Sequence, residues 1–73
     1  MSLRELDSVV LTRDVPVHQL RAGDVGTIVH AYEDGELETE FVLGSGVPHA
    51  LVTLPAENLR HIGDSELLSV RVL

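Results

Sequence analysis

His18, His30, His49 and His61 are the side chains best suited to ligate a metal or pass a proton near neutral pH. Their intervals of 12, 19 and 12 residues match neither HxxxH nor HExxH, so no compact ligand pattern joins them. Carboxylates are more numerous. In YEDGELETE, residues 32–40, Glu36, Glu38 and Glu40 recur at every second position, and on a strand they would share one face and point into water. A calcium loop needs the Asp-x-Asp-x-Asp-Gly order and a closing bidentate glutamate, and the stretch has neither. His30 set opposite Glu38 would make a solvated cross-strand contact. Covalent chemistry has less to draw on. Ser2, Ser8, Ser45, Ser65 and Ser69 lie outside any Gly-x-Ser-x-Gly elbow, and the chain has no cysteine and no lysine. Gly-Ser-Gly at residues 44–46 lacks the following helix whose amides would cradle a phosphate, and it reads as a hairpin loop. The expectation is a non-enzyme with no catalytic residue, no cofactor and no metal.

Length and charge narrow the classes further. A chain of 73 residues is one small domain. Such a domain removes only roughly 60% of its unfolded surface from water, so its core is small and, without cysteines, unstapled. Twelve acidic residues against five basic ones, all arginine, give a net charge of −7. Arg4, Arg13, Arg21, Arg60 and Arg71 are scattered singly rather than clustered, which argues against nucleic acid as a partner. The opening MSLRELDSVV lacks a basic segment followed by an apolar stretch, and no run approaches the roughly 20 apolar residues that span a bilayer. A cytoplasmic protein with no membrane contact is expected.

The elements that must carry these side chains are strands, because apolar runs of strand length alternate with Gly, Pro and Asp clusters. Strands are expected over residues 6–12, 24–32, 36–43, 49–54 and 59–62. A long excursion over 13–23 follows the first, and a single short 3-10 turn starting at Pro55 precedes the last. Within the central hairpin two registers compete. A two-residue turn at Asp34-Gly35 sets Tyr32 against Leu37, whereas a three-residue turn with Gly35 left-handed sets Tyr32 against Glu36. The second is preferred because it gathers Val25, Thr27, Val29 and Ala31 with Leu37, Thr39, Phe41 and Leu43 on one face. Ile28, His30 and Tyr32 then share the outer face with Glu36, Glu38 and Glu40. The expected core is Val9, Leu11, Val25, Val29, Phe41, Leu51 and Leu59.

LDSVVLTRDVP, LRAGDVGTIVHAYEDG, ETEFV and ALVTLPAENLR together resemble a family of short stand-alone bacterial proteins of unknown function. The shared signature is a Gly-Asp-Val-Gly-Thr-Ile-Val core and a Thr-Leu-Pro ending, and the resemblance covers about residues 6–60. It implies a bacterial source and a small five-stranded SH3-like barrel, and supplies no catalytic residues. RAGDVGTIV is also similar to strand-turn elements of RNA-binding ribosomal and transcription-factor barrels, but the basic residues that accompany those elements are missing.

Residues 1–62 are therefore read as an all-β, SH3-like barrel and residues 63–73 as a C-terminal extension. Leu68, Val70 and Val72 alternate with Ser69 and Arg71 as in a half-buried extra strand. That strand would pair either with the open edge of the first strand near Val9 and Val10 or with a second copy, giving a homodimer; a helix from Glu66 is the other reading, against which β-branched Val70 and Val72 and the short length weigh. Proline-rich and methyl-lysine ligands need exposed aromatic clusters, and the aromatic residues are Tyr32 and Phe41 alone. The expected function is a small acidic protein-interaction module, antitoxin-like, immunity or accessory in kind, with a basic partner on Ile28, His30, Tyr32, Glu36, Glu38 and Glu40. A metal- or ligand-binding domain using surface His and Glu is the alternative, and an RNA-binding barrel the weaker one.

Overall fold

The computed structural model describes residues 3–42 and 48–62. Five strands, β1 (Ser8–Leu11), β2 (Val25–Ala31), β3 (Glu36–Val42), β4 (Pro48–Pro55) and β5 (Leu59–His61), form one open antiparallel sheet in the order β4-β3-β2-β1-β5. The expected strands and the 3-10 turn before the last one (Ala56–Asn58) are present, with ends shifted by a residue or two. Among the described residues no helix is long and apolar enough to cross a membrane.

The long excursion after β1 contains a second 3-10 turn, Pro16–His18, beside the single one expected before the last strand. Pro16 fixes φ at its start, and Gln19 closes it in the left-handed region (φ 59°), its N–H donating to Pro16 O at 2.9 Å. Paired bonds between Val15 and Leu20 seal the base and return the Leu20 side chain to the core. Three residues of the Gly-Asp-Val-Gly stretch leading into β2 have a local task here. Gly23 (φ 97°) turns the chain and donates to Leu11 O at 2.8 Å. Buried Asp24 accepts the Arg21 N–H on Oδ2 at 2.9 Å, while its carbonyl accepts the Leu11 N–H at 2.9 Å. Gly26 lies beneath the Phe41 ring.

The β2–β3 turn is the three-residue form. Gly35 (φ 92°) donates to Tyr32 O at 3.1 Å, Tyr32 N–H donates to Glu36 O at 2.9 Å, and Asp34 Oδ1 accepts the Glu36 N–H at 2.9 Å. His30 consequently faces Glu38 and Ala31 faces Leu37, as expected, but Ala31, expected inside, is exposed. Beyond that the register shifts between Ile28 and His30, so that Ile28 faces Thr39, Thr27 faces Glu40 and Gly26 faces Phe41. The bulge inverts the alternation of the first half of β2. Ile28, expected outside, is fully buried (0%), whereas Val29, expected inside, is 40% exposed and Val25 only half-buried. Two bonds hold the new phase: Ile28 N–H donates to Asp7 O at 3.0 Å and Leu6 N–H to Ile28 O at 2.7 Å. Leu51 is a second correction. It faces Glu40 and is 58% exposed, because β4 turns Ala50, Val52 and Leu54 inward instead.

Val9, Leu11, Leu20, Ile28, Leu37, Phe41, Val52, Leu54 and Leu59 make one core. Val52 and Leu54 belong to one end of the sheet and Leu59 to the other. A flat sheet would keep these ends about 19 Å apart, so the sheet must curl until its inner faces meet, and the bulge in β2 promotes the bend. The first strand has no open edge for an added strand: β1 pairs with β5 through Val9–His61, Val10–Arg60 and Leu11–Leu59 as well as with β2. Among the described residues, the edges without a paired strand are those of β4 and β5. The expected C-terminal strand over 63–73 lies outside the described residues, as does most of the Gly-Ser-Gly loop.

A four-residue turn leads into β1, with Asp7 N–H donating to Arg4 O (3.1 Å) and Arg4 N–H donating to Asp7 Oδ2 (2.8 Å). Its third residue, Leu6, holds φ at 73° with its side chain 82% exposed, where turns of this sort favour glycine. Leu6→Gly is expected to raise stability by roughly 0.5 to 1 kcal/mol, since relief of left-handed strain outweighs the little packing lost. A urea midpoint that rises at unchanged slope would bear this out, and one that falls would show that Leu6 packs in solution.

Candidate functional site

Strand alternation and the three-residue turn build the outer face around β3. Glu36, Glu38 and Glu40 project from it in line and half-buried, alternating with Leu37, Thr39 and Phe41 in the core. On one side their neighbours are Tyr32, His30 and Thr27; on the other they are Pro55, Thr53 and Leu51. Five of the six expected surface residues, His30, Tyr32, Glu36, Glu38 and Glu40, are therefore together on this face, and Ile28 is not. Leu51 takes the apolar role assigned to Ile28. The sequence carried that signal: Ala50, Val52 and Leu54 outnumber Leu51 as an inward set, which leaves Leu51 outside.

His30 and Tyr32, two residues apart on the strand, meet edge to face with ring centroids 4.5 Å apart and planes at 76°. The carboxylate that reaches the imidazole is Glu5, not Glu38: His30 Nδ1 lies 3.4 Å from Glu5 Oε2, both side chains half exposed. Local spacing could not reveal this contact, because it depends on the segment before β1 crossing the β2 bulge. At this exposure such a pair contributes at most about 1 kcal/mol.

The other histidines lie elsewhere. His18 ends the first 3-10 turn, and His61 on β5 has Nδ1 4.0 Å from Asp7 Oδ2, with Nε2 buried and without a hydrogen-bond partner among the described residues. No group of three or more His, Cys, Asp or Glu side chains able to hold a metal occurs among the described residues. A depression of about 430 Å³ lies over the excursion, lined by Asp14, Pro16, Gln19, Leu20 and Arg21. Asp14 is already engaged there, its Oδ1 accepting the Ala22 N–H at 2.9 Å. The outer face combines aligned negative charge with the exposed carbon of Leu51 and Tyr32.

Comparison with curated proteins and with solved structures finds no match. The family described as domain of unknown function (DUF4926) matches residues 5–61, from the turn before β1 to the last residue of β5. That span is most of the chain and includes the whole outer face, so the chain belongs to the domain-of-unknown-function family DUF4926.

Proposed function

We propose that this chain is a non-catalytic, acidic protein-interaction module of the bacterial cytoplasm, binding a basic protein partner as an antitoxin-like, immunity or accessory subunit does. Its frame is read as SH3-like. The strand order, the long excursion between β1 and β2 and the 3-10 turn before β5 support that reading. The observation that carries the functional reading is the line of Glu36, Glu38 and Glu40 flanked by exposed Leu51 and Tyr32. Three carboxylates at alternate positions of one strand repel one another, and a cationic surface relieves that repulsion while Leu51 and Tyr32 provide apolar contact.

Reversing Glu38 and Glu40 to lysine tests the reading. The substitutions sit outside the core, so unfolding is expected to shift by no more than about 0.5 kcal/mol. Association with a partner recovered on the parent chain at low salt should slow and lose much of its salt dependence. Equal recovery and equal salt dependence on the parent and the reversed chain would move the interface off this face.

A further inference from the structure

The outer face ends at a strand edge with which no described residue pairs, and the two are chemically matched. Along β3, Glu36 directs its carbonyl towards β2, accepting from Tyr32 N–H at 2.9 Å. Main-chain groups of successive strand residues point to opposite sides, so Glu38 and Glu40 also bond towards β2, and Leu37, Thr39 and Phe41 bond towards β4. Their partners on β4 are Leu54, Val52 and Ala50. The N–H and C=O groups of Leu51 and Thr53 therefore point away from the sheet, at the edge where the strand order ends. Edge strands are ordinarily blunted by charge, by an internal proline or by a covering element. Between Pro48 and Pro55 β4 reads HALVTL, without Asp, Glu, Lys, Arg or Pro, and no described element pairs with its outer side.

We propose that this edge is a β-augmentation site for a basic, two-faced strand of another protein, which hydrogen-bonds to Leu51 and Thr53 and lays arginine or lysine side chains across β4 onto Glu38 and Glu40. This rests on the interaction-module reading and specifies its mode. An incoming strand would lie about 4.8 Å from β4 and about 9.5 Å from β3, a gap that a long basic side chain and a glutamate close from the two sides. Its stem would pack on Leu51, which stands opposite Glu40 and is 58% exposed. On the other face the incoming residues would continue the apolar row of Ala50, Val52 and Leu54. A second copy fits less well. Two β4 strands joined about a two-fold axis would place two glutamate rows on the same side of one sheet, in chains that each carry a net charge of −7.

Amide exchange on the full chain tests this, with a twelve-residue peptide of alternating arginine and valine as the probe and its glutamate-valine counterpart as the control. Expected are unprotected Leu51 and Thr53 amides in the free chain, slowed by at least about tenfold with the arginine peptide and unchanged with the glutamate peptide. Glu38→Lys with Glu40→Lys should weaken binding by about tenfold. Thr53→Pro, which removes an outward N–H and spares the β3 ladder, should abolish binding with the spectrum of the rest of the fold retained. The exchange measurement needs no substitution and decides the matter if Thr53→Pro fails to fold. If the arginine peptide binds and the reversal weakens it, but the two amides stay unprotected, the augmentation mode is overturned while the acidic-face reading stands. If the peptide does not bind, the augmentation mode falls, and capture of a partner by the parent and reversed chains still tests the face separately. Protection in the free chain that is lost on deleting residues 64–73 would assign the edge to the chain's own tail. Protection that tracks a concentration-dependent doubling of mass would assign it to a second copy, and either result overturns the proposal.

Discussion

Phe41→Ala is expected to destabilise the fold by about 3 to 5 kcal/mol. A domain of this length holds only about 4 to 11 kcal/mol in all, so the loss is a large fraction of its stability. The reason lies in what surrounds the ring. Phe41 is buried in the middle of the core, and its cross-strand neighbours are Gly26 on β2 and Ala50 on β4. Truncation would leave three small residues side by side across three strands, with no flexible side chain among them to swing into the void. Tyr32→Ala makes the control, since Tyr32 is 41% exposed and should cost less than about 1 kcal/mol. Thermal melts discriminate well at this size, where each kcal/mol moves the midpoint by about 4 to 8 °C. A Phe41→Ala midpoint within a few degrees of the parent would mean that the ring is not the centre of the core.

Much of this architecture was legible because local chemistry dictates it. Pro55 announced the 3-10 turn, Gly23 and Gly35 marked left-handed turns, and Glu33-Asp34-Gly35 set the turn that brings Tyr32 to Glu36 and His30 to Glu38. The glutamates were placed on the outer face by period alone. What failed was phase. Ile28 and Val29 are adjacent β-branched residues that fit the core equally well by type, so composition does not choose between them. The choice is made by distant partners, Leu6 and Asp7 on the Ile28 backbone and Phe41 over Gly26, none of which a local window contains. The same limit explains the misplaced free edge. Val9 and His61 lie far apart in the chain, and nothing in either segment announces that β5 rather than the tail closes on β1.

The candidate site inherits both halves of that lesson. His30, Tyr32 and the three glutamates follow from the hairpin turn and were found from the sequence. Leu51 was legible in the alternation of β4 but was assigned to the core, and Glu5 follows from a contact between elements that no local window contains. The replacement of Ile28 by Leu51 moves the apolar part of the face from the middle of the sheet to its edge. In the proposed reading, that shift puts the apolar contact for a partner at the edge of β4 rather than in a closed patch.

Gly26→Ala is expected to cost about 1 to 3 kcal/mol although it adds a single methyl group. The added Cβ would stand 2.8 Å from the Glu40 carbonyl oxygen and 2.9 Å and 3.0 Å from Phe41 Cδ1 and Cε1. Only the ring can yield, and it is held in the core; the carbonyl belongs to the β3 backbone and can move only with the ladder. Gly23 and Gly35 differ in kind. Nothing lies within 4 Å of a Cβ built on either, so alanine there meets only left-handed strain, an expected cost of about 1 kcal/mol. The clash has two separable parts, and a double-mutant cycle with Phe41→Leu resolves them. Leucine removes the ring contacts and leaves the carbonyl contact, so the double variant should be more stable than the sum of the single losses implies, without matching Phe41→Leu alone. Full additivity would show that the ring does not lie over Gly26. It would then return Val29 to the core in place of Ile28, because the bulge that buries Ile28 is the same one that brings Gly26 beneath Phe41.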